Sequence, residues 1–453
     1  MFGGLLTSRK STSYGVRFID LFYVSLLLAP GIRSFYSEHY ILGSILVFLS
    51  LFVLGCSSGT ALWLSKAHLD IHTTNASSRV TNIRHRRNIG RHMPCPYPDA
   101  WYTVALSGEL KTGDILDINV CGRALVVFRP KSGGKPSVLD AYCSHLGAHL
   151  AHGGGSLVDD CIRCPFHGWC YDTNGKLIKT ETGDAIPPGS DLKSWPVIER
   201  NGLITIWMSA AIHNEKVVNL SVEETQPWFE APIFPELEGK FDYHGFSEHT
   251  VPALIFELPE NGADVGHLTA LHNAFIVASL RPLLSHKWAA SWRADEKEAH
   301  VARLKIKEYM VLLGFTLPGP VEVEITQVGP SQVYLDFSLP GIGRLFIMET
   351  VTPMAPTQMR VLHACYASPH VPRLVAKTVL AAVNRAYEQD LPVWAHKRYE
   401  PAPRLTSSES AIKVYRGWVK QFIKSPNAIT FEEAQKKQLK IELGLPDDSS
   451  MNW

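Results

Sequence analysis

Cys143-Ser144-His145 and Cys164-Pro165-Phe166-His167-Gly168-Trp169 set two thiols and two imidazoles in two short stretches with 18 residues between them. A Cys and a His two apart in one loop, matched by a Cys and a His three apart in another, suit a [2Fe-2S] cluster. One iron takes Cys143 and Cys164, the other His145 and His167. Neutral imidazoles in place of two thiolates reduce the negative charge on such a cluster and raise its potential, which suits one-electron delivery. A structural zinc site is the competing reading, because Cys161 and Cys164 form a C-x-x-C pair that would join Cys143 and His145. It leaves His167, Gly168 and Trp169 without a purpose.

A second constellation lies in Glu260-Asn261-Gly262-Ala263-Asp264-Val265-Gly266-His267-Leu268-Thr269-Ala270-Leu271-His272. Mononuclear iron(II) that activates O2 is commonly held by two His and one carboxylate on one face, the opposite positions staying open. Residues five apart on a regular helix point about 140° away from each other, so His267 and His272 converge only where the helix is bent or bulged. Gly266 is the expected place. Either histidine alone reads better as an ordinary core residue; the pair, about 100 residues after a cluster motif, reads as a metal site.

The chain of 453 residues is 45% hydrophobic and can hold two or three domains with full cores. Its 44 basic and 43 acidic residues leave no basic excess, which argues against a nucleic-acid partner. Eight cysteines do not form a secreted disulfide framework; Cys56, Cys95, Cys121, Cys161, Cys170 and Cys365 read as buried or free thiols in a reducing compartment.

Ile41 to Leu64 is a run of 24 uncharged residues, enough to cross a hydrocarbon core of about 30 Å as one transmembrane helix. Leu21 to Ile32, short and broken by Pro30 and Gly31, reads as an interfacial segment or half-hairpin rather than a second full span. Arg9, Lys10, Arg17 and Arg33 precede the span; Lys66, Arg79, Arg84, Arg86, Arg87 and Arg91 follow it. The downstream excess places the C-terminal body in the cytosol, with endoplasmic reticulum as the expected membrane and the sequons at Asn75 and Asn219 unused. The predicted organisation is an anchor over 1–64, a basic, Pro-rich linker over 65–99, an all-β cluster domain over 100–209, an iron-bearing domain over 210–430 and a tail over 431–453. In the cluster domain, β runs are expected at Trp101–Leu106, Ile115–Val120, Ala124–Phe128, Val138–Ala141 and Leu203–Met208, with hairpin signals at Asn174-Gly175 and Asn201-Gly202. Period-two strands after Val321 and a helix from about Pro372 to Asp390 predict an α+β second domain, an antiparallel sheet crossed by a long C-terminal helix in a helix-grip-like arrangement.

Cys164 to Trp169 is the second half of the Rieske signature, and the chain resembles the Rieske-type non-haem iron oxygenases from roughly Trp101 to Ile423. Asp264, His267 and His272 match that family's D-x-x-H-x-x-x-x-H motif. Ala148 and Phe166 stand where respiratory and photosynthetic Rieske proteins carry a disulfide, so the likeness is to the oxygenase branch. The 18-residue spacing exceeds that of many oxygenases and implies a small insertion around Gly153 to Asp160. The resemblance implies that Asp390 is the third iron ligand, with Glu388 the weaker alternative. It also implies that Asp264 is not a ligand but a hydrogen-bonding bridge between a cluster His of one subunit and an iron His of the next in a head-to-tail homotrimer.

With its N-terminal span, CSHLGAHL, ENGADVGHLTALH and QDLPVWAHKRY, the whole arrangement is similar to the Neverland family of animal sterol 7-desaturases. This implies a membrane-bound enzyme converting cholesterol to 7-dehydrocholesterol with O2 and electrons from NAD(P)H. A reductase, with or without a ferredoxin, would supply them one at a time through the cluster to the mononuclear Fe(II). A steroid-ring hydroxylase shares the same motifs. A membrane-tethered Rieske electron carrier is the reading from another class, but it has no use for Asp264, His267, His272 and Asp390 together.

Overall fold

The β runs expected between Trp101 and Met208 pair into small antiparallel sheets in the computed structural model, which describes residues 71–72, 93–217, 219–272, 284–339 and 341–442. Strand β1 is Ile71–His72; the cluster domain starts at β2 (Ala100–Leu106), followed by β3 (Ile115–Val120), β4 (Arg123–Phe128) and β5 (Ser137–Asp140). Next come β6 (Ser156–Val158), β7 (Cys161–Arg163), β8 (Cys170–Tyr171), β9 (Leu177–Lys179), β10 (Val197–Arg200) and β11 (Leu203–Met208). They form three sheets, β10-β11-β2, β3-β4-β5 and β6-β7-β8-β9. The third sheet carries the second cluster loop between β7 and β8. Its strands of two or three residues are too short for any periodicity to show. The stretch read as a small insertion supplies β6 and the turn into β7, where Asp159 takes the left-handed conformation (φ 53°).

The second domain is one curved sheet of β12 (Asp242–Val251), β13 (Leu284–Ala294), β14 (Val301–Leu312), β15 (Phe315–Thr316), β16 (Val321–Val328), β17 (Gln332–Leu339), β18 (Gly343–Ala355) and β19 (Gln358–Ala367). The order is β1-β12-β19-β18-β17-β16-β14-β13, with β15 beside β14; all pairings are antiparallel except the short β1 at the edge. Helix α1 (Val265–Leu271) lies between β12 and β13 in the chain. Helix α2 (Arg373–His396) packs on β12 and β19. It runs past the expected end at Asp390, through Pro392. A proline inside a helix removes one N–H, and here the turn that follows still closes, the Lys397 amide bonding the Val393 carbonyl. Helices α3 (Ser410–Val419) and α4 (Phe431–Glu442) complete the fold, so the expected tail begins with three helical turns whose Phe431 and Ala434 are buried.

The described residues belong to one compact unit. Sheet β10-β11-β2 shares its core with the second domain: Trp101, Ile206 and Trp207 are buried together with Phe229, Val351 and Phe422. Ser331 donates to the Trp101 carbonyl (2.8 Å) and Thr352 to that of Thr103 (2.9 Å). The expected hairpin turn Asn201-Gly202 is planted in the second domain, with Asn201 donating to Pro232 O (2.8 Å) and accepting from Phe234 N (2.8 Å). Gly202, at φ 74°, lies so close to the Tyr366 hydroxyl that no Cβ would fit. A separate, smaller core of Val126, Phe128, Leu139, Leu150, Leu157, Ile162, Tyr171 and Leu177 backs the cluster loops.

The end of the expected linker is packed rather than free. Met93, Cys95 and Tyr97 are buried, and Asp99 ties the segment down by accepting from Ala210 N (2.7 Å) and Trp228 Nε1 (2.9 Å). No helix among the described residues is long and apolar enough to cross a membrane. The expected span Ile41–Leu64, Cys56 and Asn75 lie outside the described residues.

Candidate metal centres

Two loops with the same hydrogen-bond pattern bring Cys143, His145, Cys164 and His167 together. In the first, Gly147 N donates to Cys143 O (3.0 Å) and Cys143 N to Ala148 O (2.9 Å). In the second, Gly168 N donates to Cys164 O (3.2 Å) and Cys164 N to Trp169 O (2.8 Å). Each pattern closes through a left-handed glycine, Gly147 at φ 71° and Gly168 at φ 67°. The thiols of Cys143 and Cys164 are buried, whereas His145 is exposed and His167 half-buried, so the imidazole end of the site faces outward. The two imidazoles meet edge to face with centroids 4.6 Å apart, and Trp169 stacks on His145 at 4.5 Å.

Tyr171 contacts Cys143 Sγ through its hydroxyl (3.1 Å) and Ser144 Oγ (3.0 Å). Burial pushes the Cys143 thiol up, opposed by the Tyr171 hydroxyl and the His145 amide. Two buried, adjacent thiols, one of them with hydrogen-bond donors aimed at it, suit thiolates neutralised by a metal, and the donor set fits a Rieske cluster. Cys161 does not join them: it is only half-buried, its neighbours are Cys170 and a group of aspartates, and burial raises its pKa. The zinc reading loses its fourth ligand on that geometry.

The second centre assembles His267, His272 and Asp390, whose ligand atoms lie within 4.8 Å of one another. The expected bulge at Gly266 is absent. Helix α1 instead stops at Leu271, and His272 sits at its C-cap with φ −102° and ψ 20°, which swings its ring back toward His267. The ring centroids are 5.2 Å apart at 85°. Asp264 is the N-cap of the same helix, its Oδ1 accepting from His267 N (3.2 Å).

Each imidazole is held by its Nδ1. That of His267 donates to the Asp264 carbonyl, and that of His272 to Gln389 Oε1 (2.9 Å). With both Nδ1 protons committed, the Nε2 lone pairs are left for a metal. Asp390 lies with Oδ1 3.4 Å from His272 Nε2, and its Oδ2 accepts from Asn261 Nδ2 (3.2 Å). Burial lowers the His272 pKa, but the bonds to Asp390 and Gln389 outweigh it and leave it raised. Glu388 turns away to Asn384 (3.2 Å) and Arg385 (3.3 Å). Two imidazoles and one buried carboxylate on one side fit a mononuclear Fe(II) with open positions.

The description "Rieske [2Fe-2S] domain" matches residues 100–196, and "3-Ketosteroid 9alpha-hydroxylase C-terminal domain" matches 220–423. The "Cholesterol 7-desaturase nvd" of Hemicentrotus pulcherrimus is 37% identical over 376 residues, 79% of this chain and 76% of that protein. The one from Bombyx mori is 34% identical over 369 residues, covering 80% and 77%. The chain belongs to the Neverland family of Rieske oxygenases. Among solved structures, apo dicamba monooxygenase superposes with a TM-score of 0.52 at 16% identity, covering 71% of this chain and 96% of that one, a likeness of fold alone.

Several residues that shape these centres in this Neverland-family chain carried no signal in the sequence. Gln389 and Asn261 hold His272 and Asp390, yet an amide beside a ligand looks like any polar residue until the partner is placed. Tyr171, in a two-residue strand, carried none either. Gly147 had a signal that went unused: it stands four after Cys143 as Gly168 stands four after Cys164.

Proposed function

We propose that this chain is a sterol 7-desaturase that converts cholesterol to 7-dehydrocholesterol, with the balance cholesterol + O2 + NAD(P)H + H⁺ giving 7-dehydrocholesterol + NAD(P)⁺ + two H2O. The observation that carries the reading is the meeting of His267, His272 and Asp390, 118 residues from His272 in sequence, in a chain of this family that also gathers a Rieske ligand set. Cys143, His145, Cys164 and His167 would hold the [2Fe-2S] cluster; His267, His272 and Asp390 would hold the Fe(II). When bound, cluster and iron supply one-electron delivery and O2-dependent hydrogen removal. The chain's own residues set the conditions for it. Asp264 and Gln389 fix the two imidazole tautomers, Asn261 orients the Asp390 carboxylate, and the outward-facing His145 and His167 offer the edge through which electrons enter and leave.

The likeness to the "Probable 3-ketosteroid-9-alpha-monooxygenase, oxygenase component" of Rhodococcus rhodochrous, 24% identical over 362 residues, supports a separate reductase, with or without a ferredoxin, as the electron source. Asp264 would bridge a cluster His of one subunit and His267 of the next in a homotrimer. The uncharged run Ile41–Leu64 and the basic residues after it support an anchor in the endoplasmic reticulum with the body in the cytosol, where a bilayer-dissolved sterol would be reached directly. Carbonate extraction should leave the protein in the pellet, and protease outside sealed microsomes should digest the body; glycosylation at Asn219 would overturn that topology.

The deciding experiment is incubation of membranes containing the protein with cholesterol, O2, NADPH and a reductase, followed by product analysis. A Δ5,7 sterol is the expected product. A steroid-ring hydroxylase, favoured by the match to the 3-ketosteroid hydroxylase domain, would give a hydroxysterol instead.

A further inference from the structure

Strand β12 is unusually polar for a buried strand, and its histidines lie under α2. Ser247 pairs with His363 on β19, and His363 with Glu349 on β18, so the three share one face of the sheet. His249, two residues from Ser247, is on the same face. Cys365, two from His363, places its sulfur 3.7 Å from the Ala376 carbonyl of α2, so this is the face that α2 covers. Helix α2 adds Tyr387 and Asn384. The rings of Tyr387 and His363 lie 4.7 Å apart, those of Tyr387 and His249 5.3 Å, and those of His249 and His363 6.2 Å. All are buried: His363 is 0%, His249 1%, Asn384 3% and Tyr387 7% exposed.

These groups are short of partners. His363 Nε2 donates to Glu349 Oε2 (3.2 Å), since a carboxylate can only accept, and His363 Nδ1, an acceptor in the neutral ring, is left without a partner. Neither that nitrogen, nor either nitrogen of His249, nor the hydroxyl of Tyr387, nor Ser247 Oγ, nor Asn384 Oδ1 has a hydrogen-bond partner. Buried polar atoms are normally satisfied, and a cluster of orphans in one place marks where another polar group belongs. Burial, and then the neighbouring His363, push the His249 pKa down to about 3, so at neutral pH it is uncharged and offers one donor and one acceptor. Tyr387 stands three residues before Asp390, one helical turn away on the same side of α2.

We propose that the Tyr387, His249 and His363 cluster is the binding site for the 3β-hydroxyl of the sterol, one turn of α2 away from the iron centre. The inference rests on the sterol reading above and adds the residues that recognise the substrate. The donor and acceptor pattern selects the functional group. A hydroxyl donates once and accepts from its neighbours, so it satisfies His363 Nδ1 while taking a hydrogen bond from Tyr387 or from His249. Beside a neutral His363 ring, a 3-ketone, which only accepts, would leave Nδ1 unpaired. The site therefore takes a 3-hydroxysteroid rather than a 3-ketosteroid.

The test compares cholesterol, cholest-5-ene, which lacks the 3-oxygen, and cholest-4-en-3-one on the metal-loaded, full-length enzyme. Equilibrium binding of each radiolabelled sterol is measured along with kcat and KM. Wild type should prefer cholesterol to both analogues by at least about tenfold in Kd. Tyr387→Phe should weaken cholesterol about tenfold in Kd and KM and leave the Kd of cholest-5-ene and the cluster spectrum unchanged. His249→Gln, which keeps a donor and an acceptor, should retain more of the preference than His249→Leu. Equal binding of cholesterol and cholest-5-ene by wild type would overturn the inference, with ordered water as the partner of these atoms. An equal loss on both sterols in Tyr387→Phe would also overturn it. If wild type neither binds nor converts cholesterol but does take the 3-ketone, the sterol-desaturase reading itself fails, an outcome distinct from the other two.

Discussion

The candidate cluster ligands come from two loops 18 residues apart, each closed by its own pair of backbone hydrogen bonds around a left-handed glycine, and both backed by one small core. The candidate iron ligands come from the two ends of a seven-residue helix, His267 in its first turn and His272 at its C-cap, and from a second helix far along the chain, with Gln389 reaching His272 across 117 residues. The first centre is determined locally, within the cluster domain. The second exists only because α2 packs across β12 and β19 and delivers Gln389 and Asp390 to the end of α1. Damage to the cluster should therefore stay in the cluster domain, whereas small changes on α2 should be read directly at the iron.

The largest effect should come from Cys164→Ser, which removes a buried thiolate and should abolish the Rieske electron paramagnetic signal. Cys161→Ser should leave that signal intact, because Cys161 faces Cys170. The reverse result would mean that the second loop uses the other cysteine. Asp390→Ala comes next: iron content should fall from about three per chain to about two, with turnover lost and the cluster spectrum kept. Glu388→Ala should change neither. Retained iron in Asp390→Ala would show that the two centres do not differ in the way described.

Gln389→Ala tests the claim that long-range packing tunes the second centre. It removes the acceptor that fixes the His272 tautomer, and iron affinity should fall about 10- to 100-fold; an unchanged affinity by metal titration would make that contact incidental. Asp264→Asn separates two roles. Asparagine caps a helix as well as aspartate, so stability should move by less than about 0.5 kcal/mol, while turnover should fall about tenfold or more if the charge links the two centres. In the same vein, a chain carrying Cys143→Ser co-assembled with one carrying His267→Ala should regain product only if electrons cross between subunits; no recovery in confirmed mixed assemblies argues for transfer within one chain. The smallest effect is expected from Tyr171→Phe. Loss of its hydrogen bond to Cys143 should lower the cluster potential by about 40–60 mV, the one-electron equivalent of roughly 1 kcal/mol.

The sequence alone determined the cluster ligands as candidates because both loops are short, and the residue types and their spacing express the local geometry directly. It also determined His267 and His272 as a pair, though not the way they meet. The rule of 3.6 residues per turn demanded a distortion, and Gly266 was the obvious place, yet convergence comes from the helix ending at Leu271, which no residue in that stretch announces. Asp390 was reached by resemblance; nothing in its neighbourhood separates it from Glu388 until α2 is rotated against the sheet and one carboxylate is buried while the other faces Arg385. Strand β12 escaped the pattern reading for a related reason. Its inner face is built from His249 and Ser247, polar residues that look solvent-facing in a sequence and are buried only because α2 lies over them. Tertiary structure decided every contact whose partners are distant in the chain, since the free energy of such contacts depends on what packs opposite, and a one-dimensional pattern carries no record of it.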